Sequence, residues 1–301
     1  MKYSVKKLNI LTLIIVAVFV INIAVTLFAP NVDNVEAGSV WEDEIFDEDV
    51  DIEVDTPVVD EGVNDGVEAI TQESLVKKVF DTLNGTKSYK ASTTGSVKTN
   101  VKVVGNITQN ISSSTQRDSN GKVLLFNASV KTASIGVTVG RQIFTKDGMA
   151  YYRDAESVSA TFEPTYGEGW TRTTIEDYHS QFGITAGKSY YLVDESTILS
   201  YNNFKTTTTG YKVVIELDVS KAVGDYIRNV QTMSGSTTKP AFEYVRLTIT
   251  TDKDCQPTRI VIEEKYAVTV MGFSASCSTM TATKYSNWGK YFSLSTPKGI
   301  N

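Results

Sequence analysis

The sequence predicts an α+β fold, a largely antiparallel sheet of about eight strands with helices packed on one side, after an N-terminal transmembrane helix. Three observations lead there. From Tyr89 onward most segments repeat apolar residues with period two, are rich in Thr, Val and Ser, and are parted by turn residues. Two stretches only, opening at Thr71 and at Asp218, have an extended helical period. Ahead of both, Leu8 to Ala29 runs for 22 residues without a charged side chain.

That apolar run comes first in the chain. As a helix it is about 33 Å long at about 1.5 Å per residue, enough to cross a bilayer core. Lys2, Lys6 and Lys7 precede it and acids follow, which sets the N-terminus inside and the rest outside the cytoplasm. A cleaved signal peptide, with its site at Val35–Glu36–Ala37, is the competing reading; the run exceeds the roughly 7–15 apolar residues of such a signal. Both readings export the bulk of the chain. From Glu42 to Glu68 there are thirteen acids and no Lys or Arg. Like charges repel and little apolar surface offsets the ordering entropy, so residues 30–68 read as an acidic disordered linker. The alternating Asp47, Asp49, Asp51, Glu53 and Asp55 lack the glycine turn that gathers oxygens around calcium. The net charge of −6 belongs to this linker, and the remainder is mildly basic, with no cluster to suggest a nucleic-acid partner. The division is therefore 1–29 signal anchor or signal peptide, 30–68 linker, 69–287 folded extracytoplasmic domain and 288–301 tail.

Within the domain, Thr71 is placed to cap a helix, with Leu75, Val76, Val79, Phe80 and Leu83 at helical spacing and Asn84–Gly85 as the stop. Strands are expected over Tyr89–Val104 and Gly105–Ser114. The turn Asp118–Ser119–Asn120–Gly121 leads into one stretch, Val123–Val139, where Leu124, Phe126, Ala128 and Val130 share a face. Asp147–Gly148 marks a hairpin turn. Glu163–Gly187 breaks the pattern with Pro164, Gly167, Gly169 and Gly183, and holds a short helical piece near Ile175–Phe182. A strand pair is expected around Phe204–Thr209 and Tyr211–Leu217, with Tyr211, Val213, Ile215 and Leu217 on one face. Asp218–Met233 reads as a second long helix, capped by Asp218 and striped by Val219, Val223, Tyr226, Ile227 and Val230. Strands Phe242–Thr251, Thr258–Val270 and Phe273–Tyr285 close the domain, joined by the loop Asp252–Pro257 and a tight turn at Gly272.

This order carries a resemblance. A helix ending Asn84–Gly85, a strand opening Ser88–Tyr89–Lys90–Ala91, a mid-chain helical interruption, the run LTITTDKDCQPTRIVIEE turning into Tyr266 and a last strand ending Lys284–Tyr285 are similar to the LolA-like group of lipoprotein carriers. That group includes the LppX/LprG lipoproteins; the likeness spans about residues 70–290 and lies in architecture, not in a signature motif. It implies a strongly bent half-barrel whose concave apolar face, lidded by helices, holds an acyl chain or other lipid. Many relatives carry a lipid-modified cysteine straight after the signal segment. Here the first cysteine is Cys255, so that identity is excluded and the transmembrane helix stands in as tether.

Chemistry is sparsely marked. His179 is the single histidine, which excludes zinc sites built on two or three imidazoles. Glu176 lies one helical turn before it, but no nucleophile elbow accompanies the pair, and His179 reads as a surface or loop residue. Glu263 and Glu264 point to opposite faces of a strand and read as solvated or salt-bridged. Strand pairing about Gly272 sets Cys277 beside Tyr266 and sends Cys255 to the far end, which disfavours a disulfide. No phosphate-binding loop and no metalloprotease motif is present. The expectation is a membrane-tethered, non-catalytic extracytoplasmic protein, without cofactor or metal, that binds a lipid or other apolar ligand. Leu124, Phe126, Val130, Val213 and Ile215 are its candidate lining residues. The alternative is a cell-surface structural or protein-interaction module without a small ligand.

Overall fold

The computed structural model describes residues 69–101, 105–119, 124–132, 137–159, 163–182, 191–227, 239–270 and 273–300. The apolar run 8–29, the acidic linker and the turn at Gly272 lie outside the described residues. Among the described residues no helix is long and apolar enough to cross a membrane.

Helix α1 spans Gln72–Asn84. Thr71 accepts a hydrogen bond from the Ser74 amide, and the Ser74 side chain accepts from the Thr71 amide, so a capping box satisfies two otherwise orphaned donors. Its buried residues are Leu75, Val76, Val79, Phe80 and Leu83, the stripe the periodicity predicts. Each such side chain taken from water contributes roughly 1.5–3 kcal/mol of transfer free energy.

The strands follow as β1 (Tyr89–Val101), β2 (Gly105–Arg117), β3 (Leu124–Thr132), β4 (Val137–Lys146) and β5 (Met149–Val158). The hairpin between β4 and β5 turns on Asp147 and Gly148, both at positive φ (51° and 78°), which a two-residue turn of this hand requires. Two short strands come next, β6 (Pro164–Tyr166) and β7 (Thr171–Thr174), then helix α2 (Ile175–Phe182). Strands β8 (Ile198–Thr206) and β9 (Gly210–Leu217) precede the four-residue helix α3 (Val219–Ala222). Strands β10 (Ala241–Asp252), β11 (Pro257–Val270) and β12 (Phe273–Ser286) end the domain.

Among the described residues all strands form one antiparallel sheet, ordered β6-β5-β4-β3-β2-β1-β12-β11-β10-β9-β8, with β7 also on β5. It is a meander closed in the middle, because the first and last strands pair with each other. The two ends of the order, β6 and β8, are not joined, so there is no closed barrel. The α+β class stands, and the strand number is twelve where about eight were expected. The surplus has physical causes. Val123–Val139, read as one stretch, is two strands on either side of 133–136. Strands β6 and β7 have three and four residues, too few for any period to register. The second helix is also shorter than its stripe: α3 stops at Ala222, Val223 leaves helical geometry (φ −106°, ψ 13°) beside Gly224, and a helical turn resumes at 224–227.

Strand alternation divides the sheet into two faces. Buried on the inner one are Val97 and Val101 of β1, Ile107 and Ile111 of β2, Val245, Leu247 and Ile249 of β10, and Ile260 and Ile262 of β11. Ion pairs such as Arg246 with Glu216 and Glu263, both 3.7 Å, lie on the outer one and contribute little. Residues 287–300 have neither helix nor strand, yet they are fastened along the domain. Trp288 Nε1 donates to the Pro257 carbonyl (2.7 Å), the Phe292 amide to Ser119 Oγ (2.7 Å), and Trp170 Nε1 to the Lys298 carbonyl (3.1 Å).

Candidate functional site

Among the described residues the inner face is covered by three short pieces, and each is fastened by a few named side chains. Over β10, β11 and β12, α1 sets Phe80 and Leu83 against Leu247, Ile260, Ile262, Thr283 and Tyr285, leaving a cavity of only about 10 Å³. That is about one water's worth of space. The carbonyls that end α1 are claimed by Arg117, at the end of β2: Nη1 donates to the Leu83 carbonyl (3.0 Å), Nη2 to Thr82 (3.4 Å) and Nε to Lys87 (2.7 Å). Its guanidinium lies over the Tyr89 ring, 4.5 Å from the centroid. At the other end of the sheet, Tyr178 of α2 is buried against Tyr152 (centroids 5.3 Å apart), and burial raises its hydroxyl to about 12 despite the nearby Arg141 charge. Arg141 itself forms a two-pronged pair with Asp154, at 2.6 and 3.0 Å.

The third piece, residues 191–227, sits over the most polar part of the inner face. Alternation along β11 turns Ile260, Ile262, Glu264, Tyr266 and Val268 inward, all buried. The antiparallel register sets Thr279 of β12 opposite Glu264 and Cys277 opposite Tyr266. On β1, Val97 and Thr99 continue the two rows. Glu264 has no exposed surface. It accepts hydrogen bonds from the hydroxyls of Tyr191 and Tyr226, the second at 3.1 Å, so the carboxyl clasps the covering segment to the sheet. Tyr226 packs edge-on to Tyr191 (5.8 Å) and Tyr266 (6.1 Å), and Phe242 closes the ring cluster at 4.9 Å from Tyr266.

The charge balance here is unusual. Glu263 and Lys265, on either side of Glu264, sit at partly exposed positions, paired with Arg246 and Glu243. Among the described residues no Lys or Arg forms a salt bridge with Glu264. Burial, working against the hydrogen bonds it accepts, leaves its carboxyl above the ordinary range. Burial also lifts the hydroxyls of Tyr226 and Tyr266 well above theirs. The Tyr266 hydroxyl lies beside Tyr226 and Cys277, and the Thr279 hydroxyl beside the Glu264 carboxyl, so the polar groups of the cluster face one another.

The sequence-predicted residues are distributed as follows. Val213 and Ile215 are fully buried on β9, opposite Ile249 and Leu247 in the core. Leu124, Phe126 and Val130 lie in β3 in register with Arg117, Thr115 and Ile111; their side chains lie outside the described residues. His179 sits in the last turn of α2, part-buried and away from the Glu264 cluster by sequence and by element. Glu263 is the salt-bridged carboxylate expected of it. Glu264 is not: it is neither solvated nor salt-bridged, because it occupies an inward position of β11. Its alternation with Ile260, Ile262 and Tyr266 is the signal that finds it in the sequence.

Both cysteines are free and buried. Cys277 stands opposite Tyr266, 3.6 Å from Thr99 Oγ1, and Cys255 lies in the loop between β10 and β11. Burial pushes the Cys277 thiol up to about 11 and raises Cys255 as well. Iodoacetamide at about pH 8 is therefore expected to leave both thiols of the native chain unmodified while alkylating both in concentrated guanidinium. Native-state labelling of Cys277 at the denatured rate would contradict the packing of β11 against β12.

On the outer face a recess of about 200 Å³ is lined by Lys98, Thr99, Asn100, Asn106, Lys265, Ser276, Cys277 and Ser278. Among the described residues no group of three or more His, Cys, Asp or Glu is placed to hold a metal ion.

No family model matches this sequence, and no curated protein matches it. Similar solved structures include a domain assigned as an outer membrane lipoprotein-sorting protein from Vibrio parahaemolyticus, at 7% identity, 73% of this chain, 92% of that one and a TM-score of 0.27. A LolA superfamily protein from Nitrosomonas europaea is similar at 13% identity over 75% of this chain and 96% of that one, with a TM-score of 0.23. A beta-barrel-like protein of a domain of unknown function from Brucella abortus is similar at 7% identity over 66% and 98%, with a TM-score of 0.21. The group that the sequence resembles is thus met again among solved structures. Likeness at these TM-scores carries nothing about ligand or partner.

Proposed function

We propose that this chain is an extracytoplasmic, non-catalytic binding module that takes an amphiphilic or apolar ligand between its sheet and the pieces that cover it. The observation that carries the reading is the mode of attachment of the cover. A core built only for stability is sealed by a continuous apolar layer. Here α1 is pinned by Arg117, α2 packs through Tyr178 beside Arg141, and the 191–227 segment is clasped by Tyr191 and Tyr226 to Glu264. Lifting one such piece costs its polar contacts together with the apolar surface it buries, and exposes apolar sheet beneath. On this reading the sheet bends into a half-barrel with its concave side inward. Gly95 at the centre supports the bend, since a Cβ there would lie 2.6 Å from the Met280 carbonyl oxygen and from a Thr281 methyl. Leu124, Phe126, Val130, Val213 and Ile215 then line the ligand path. Residues 8–29 tether the domain to the membrane, with 30–68 as a solvated spacer, 69–287 as the binding domain and 288–301 as its tail.

Mass spectrometry of the full-length chain, purified in a synthetic detergent from its own host, tests the reading. Its organic extract is compared with that of an unrelated single-span membrane protein. A lipid retained at near-equimolar amount, absent from the control, supports a carrier or sensor. An extract equal to the control, with no displacement of an apolar dye, overturns it in favour of a surface interaction module. Exposed Leu192 (57%) and Leu199 (63%), near the sheet-edge strand β8, favour that second reading.

A further inference from the structure

We infer that the acidic segment of this chain around Asp47–Asp55 docks on a row of cations on the outer face of the sheet, folding the linker back onto the domain it precedes. The inference stands apart from the ligand reading and concerns the opposite face. Four observations carry it.

The first is the row itself. The antiparallel register sets Lys205 of β8 opposite Lys212 of β9, and Lys212 opposite Thr250 of β10. It then sets Thr250 opposite Arg259 of β11, and Arg259 opposite Lys284 of β12. Directly paired residues share a face, and the chain neighbours Val213, Ile249 and Ile260 are buried on the inner one, so all four cations stand on the outer. At about 4.8 Å per strand the row is roughly 19 Å long. The second is that nothing described neutralises it. None of the four forms an ion pair with a described residue, and Arg259 Nε is buried without a hydrogen-bond partner. Asp252, two residues along β10 from Thr250, is engaged by the amides of Asp254 and Gln256 in its own loop. Glu216 and Glu263, on the same face, pair with Arg246. Like charges set side by side across strands repel, so an anion over the row is favoured.

The third is where the chain keeps its remaining acids. Every Asp and Glu of residues 69–301 lies among the described residues. The C-terminal end is fastened at Trp170, beside β7, at the other end of the sheet. The side-chain carboxylates not yet placed are those of residues 1–68, thirteen of them between Glu42 and Glu68 with no Lys or Arg. The fourth is reach. Helix α1 crosses the sheet from β8 to β2, since Glu73 in its first turn lies near Tyr201 and its last carbonyls are held by Arg117. The chain therefore enters the domain at the β8 edge, where the row begins with Lys205. From Thr71 back to Asp55 an extended chain covers up to about 50 Å, enough to round that edge. Asp49 to Asp55 extends over about 20 Å, the length of the row. The alternation of acids with Val50, Ile52 and Val54 offers carboxylates to the cations and apolar side chains to the half-buried Val214, Val261 and Ala282 of the adjoining row. Exposed ion pairs are individually weak, but a tethered partner is present at an effective concentration of about millimolar.

The test uses the full-length chain in micelles of an uncharged detergent and reads the acetylation rate of each lysine by mass spectrometry. The variant carries Asp49→Asn, Asp51→Asn, Glu53→Gln and Asp55→Asn, and alters no residue of the described domain. At about 50 mM salt, Lys205, Lys212 and Lys284 are expected to react about fivefold faster in the variant than in the wild type, while Lys146 reacts alike in both. At about 1 M salt the difference should vanish, because the screening length falls to about 3 Å. Carbodiimide coupling in a mixture of isotope-labelled and unlabelled chains should join these lysines to residues 47–55 of the same copy. Equal rates in wild type and variant at low salt overturn the docking. Coupling between copies overturns it in favour of a contact between chains. Rates that are equal in plain micelles and slow only when phosphatidylglycerol is mixed in assign the row to an anionic membrane surface, and overturn the linker as its occupant.

Discussion

Replacing Arg117 with methionine is expected to destabilise the folded chain by on the order of 3 kcal/mol, a large fraction of a typical domain's stability. The reason lies in how α1 ends. A helix leaves its last carbonyls without partners, and a basic residue in the last turn is the usual local remedy. Helix α1 has none there. Arg117 answers the need from β2, donating to the carbonyls of Leu83, Thr82 and Lys87 while its plane covers Tyr89. Methionine keeps most of the packing volume and removes all three donors, so the buried carbonyls are left unpaired. Lysine at this position keeps a charge but loses the fork, and about half the loss is expected to remain. Urea titrations of wild type, Arg117→Met and Arg117→Lys give the values directly. Hydrogen exchange gives the location: α1 amides should lose protection in Arg117→Met while β11 and β12 amides keep theirs. A loss below about 1 kcal/mol, or uniform loss of protection, would falsify the view that α1 is a separately pinned piece.

Arg117 also marks what the sequence does and does not disclose. Local rules were enough wherever neighbours in the chain decide the outcome. Thr71 caps α1, the five apolar residues behind it are its buried face, and Asp147–Gly148 makes the hairpin. Tyr266 opposite Cys277 needs only the position of a turn. Arg117, by contrast, serves a helix end some thirty residues earlier, a contact that depends on β1 and β2 pairing as they do. The strand expected to end at Ser114 runs on to Arg117, so the residue lay outside the element that positions it. Glu264 is the opposite case. Its inward position is written in the alternation Ile260, Ile262, Glu264, Tyr266, and the general preference of carboxylates for solvent hides it. Its partners Tyr191 and Tyr226 come from segments far along the chain, which no spacing rule joins to β11. Polar residues at inward strand positions are the places where a sequence reading of this kind gains most, because function and stability pull there in different directions.

Glu264 should make stability fall as pH rises, the reverse of what a salt-bridged carboxylate does. Its carboxyl is held above the ordinary range in the folded chain, chiefly by burial. The folded state then keeps a proton that the unfolded state releases. Below the unfolded value, near 4.5, both states are protonated and the group's stabilising contribution is fully present. That contribution is lost as pH climbs through the folded value, at about 1.4 kcal/mol for each unit separating the two. Among the described residues the other titratable groups facing it, on the cover as on β11 and β12, are Tyr191, Tyr226, Tyr266 and Cys277. Tyr226 and Tyr266 are held well above the ordinary tyrosine value and Cys277 is at about 11. Subtracting the pH profile of Glu264→Gln from that of the wild type, between about pH 4 and 8, isolates the effect, and the difference should decline with pH. The hydrogen bond from Tyr226 favours the ionised form, so Tyr226→Phe should move the decline to higher pH. A difference that rises with pH instead means that the cluster holds Glu264 as a carboxylate.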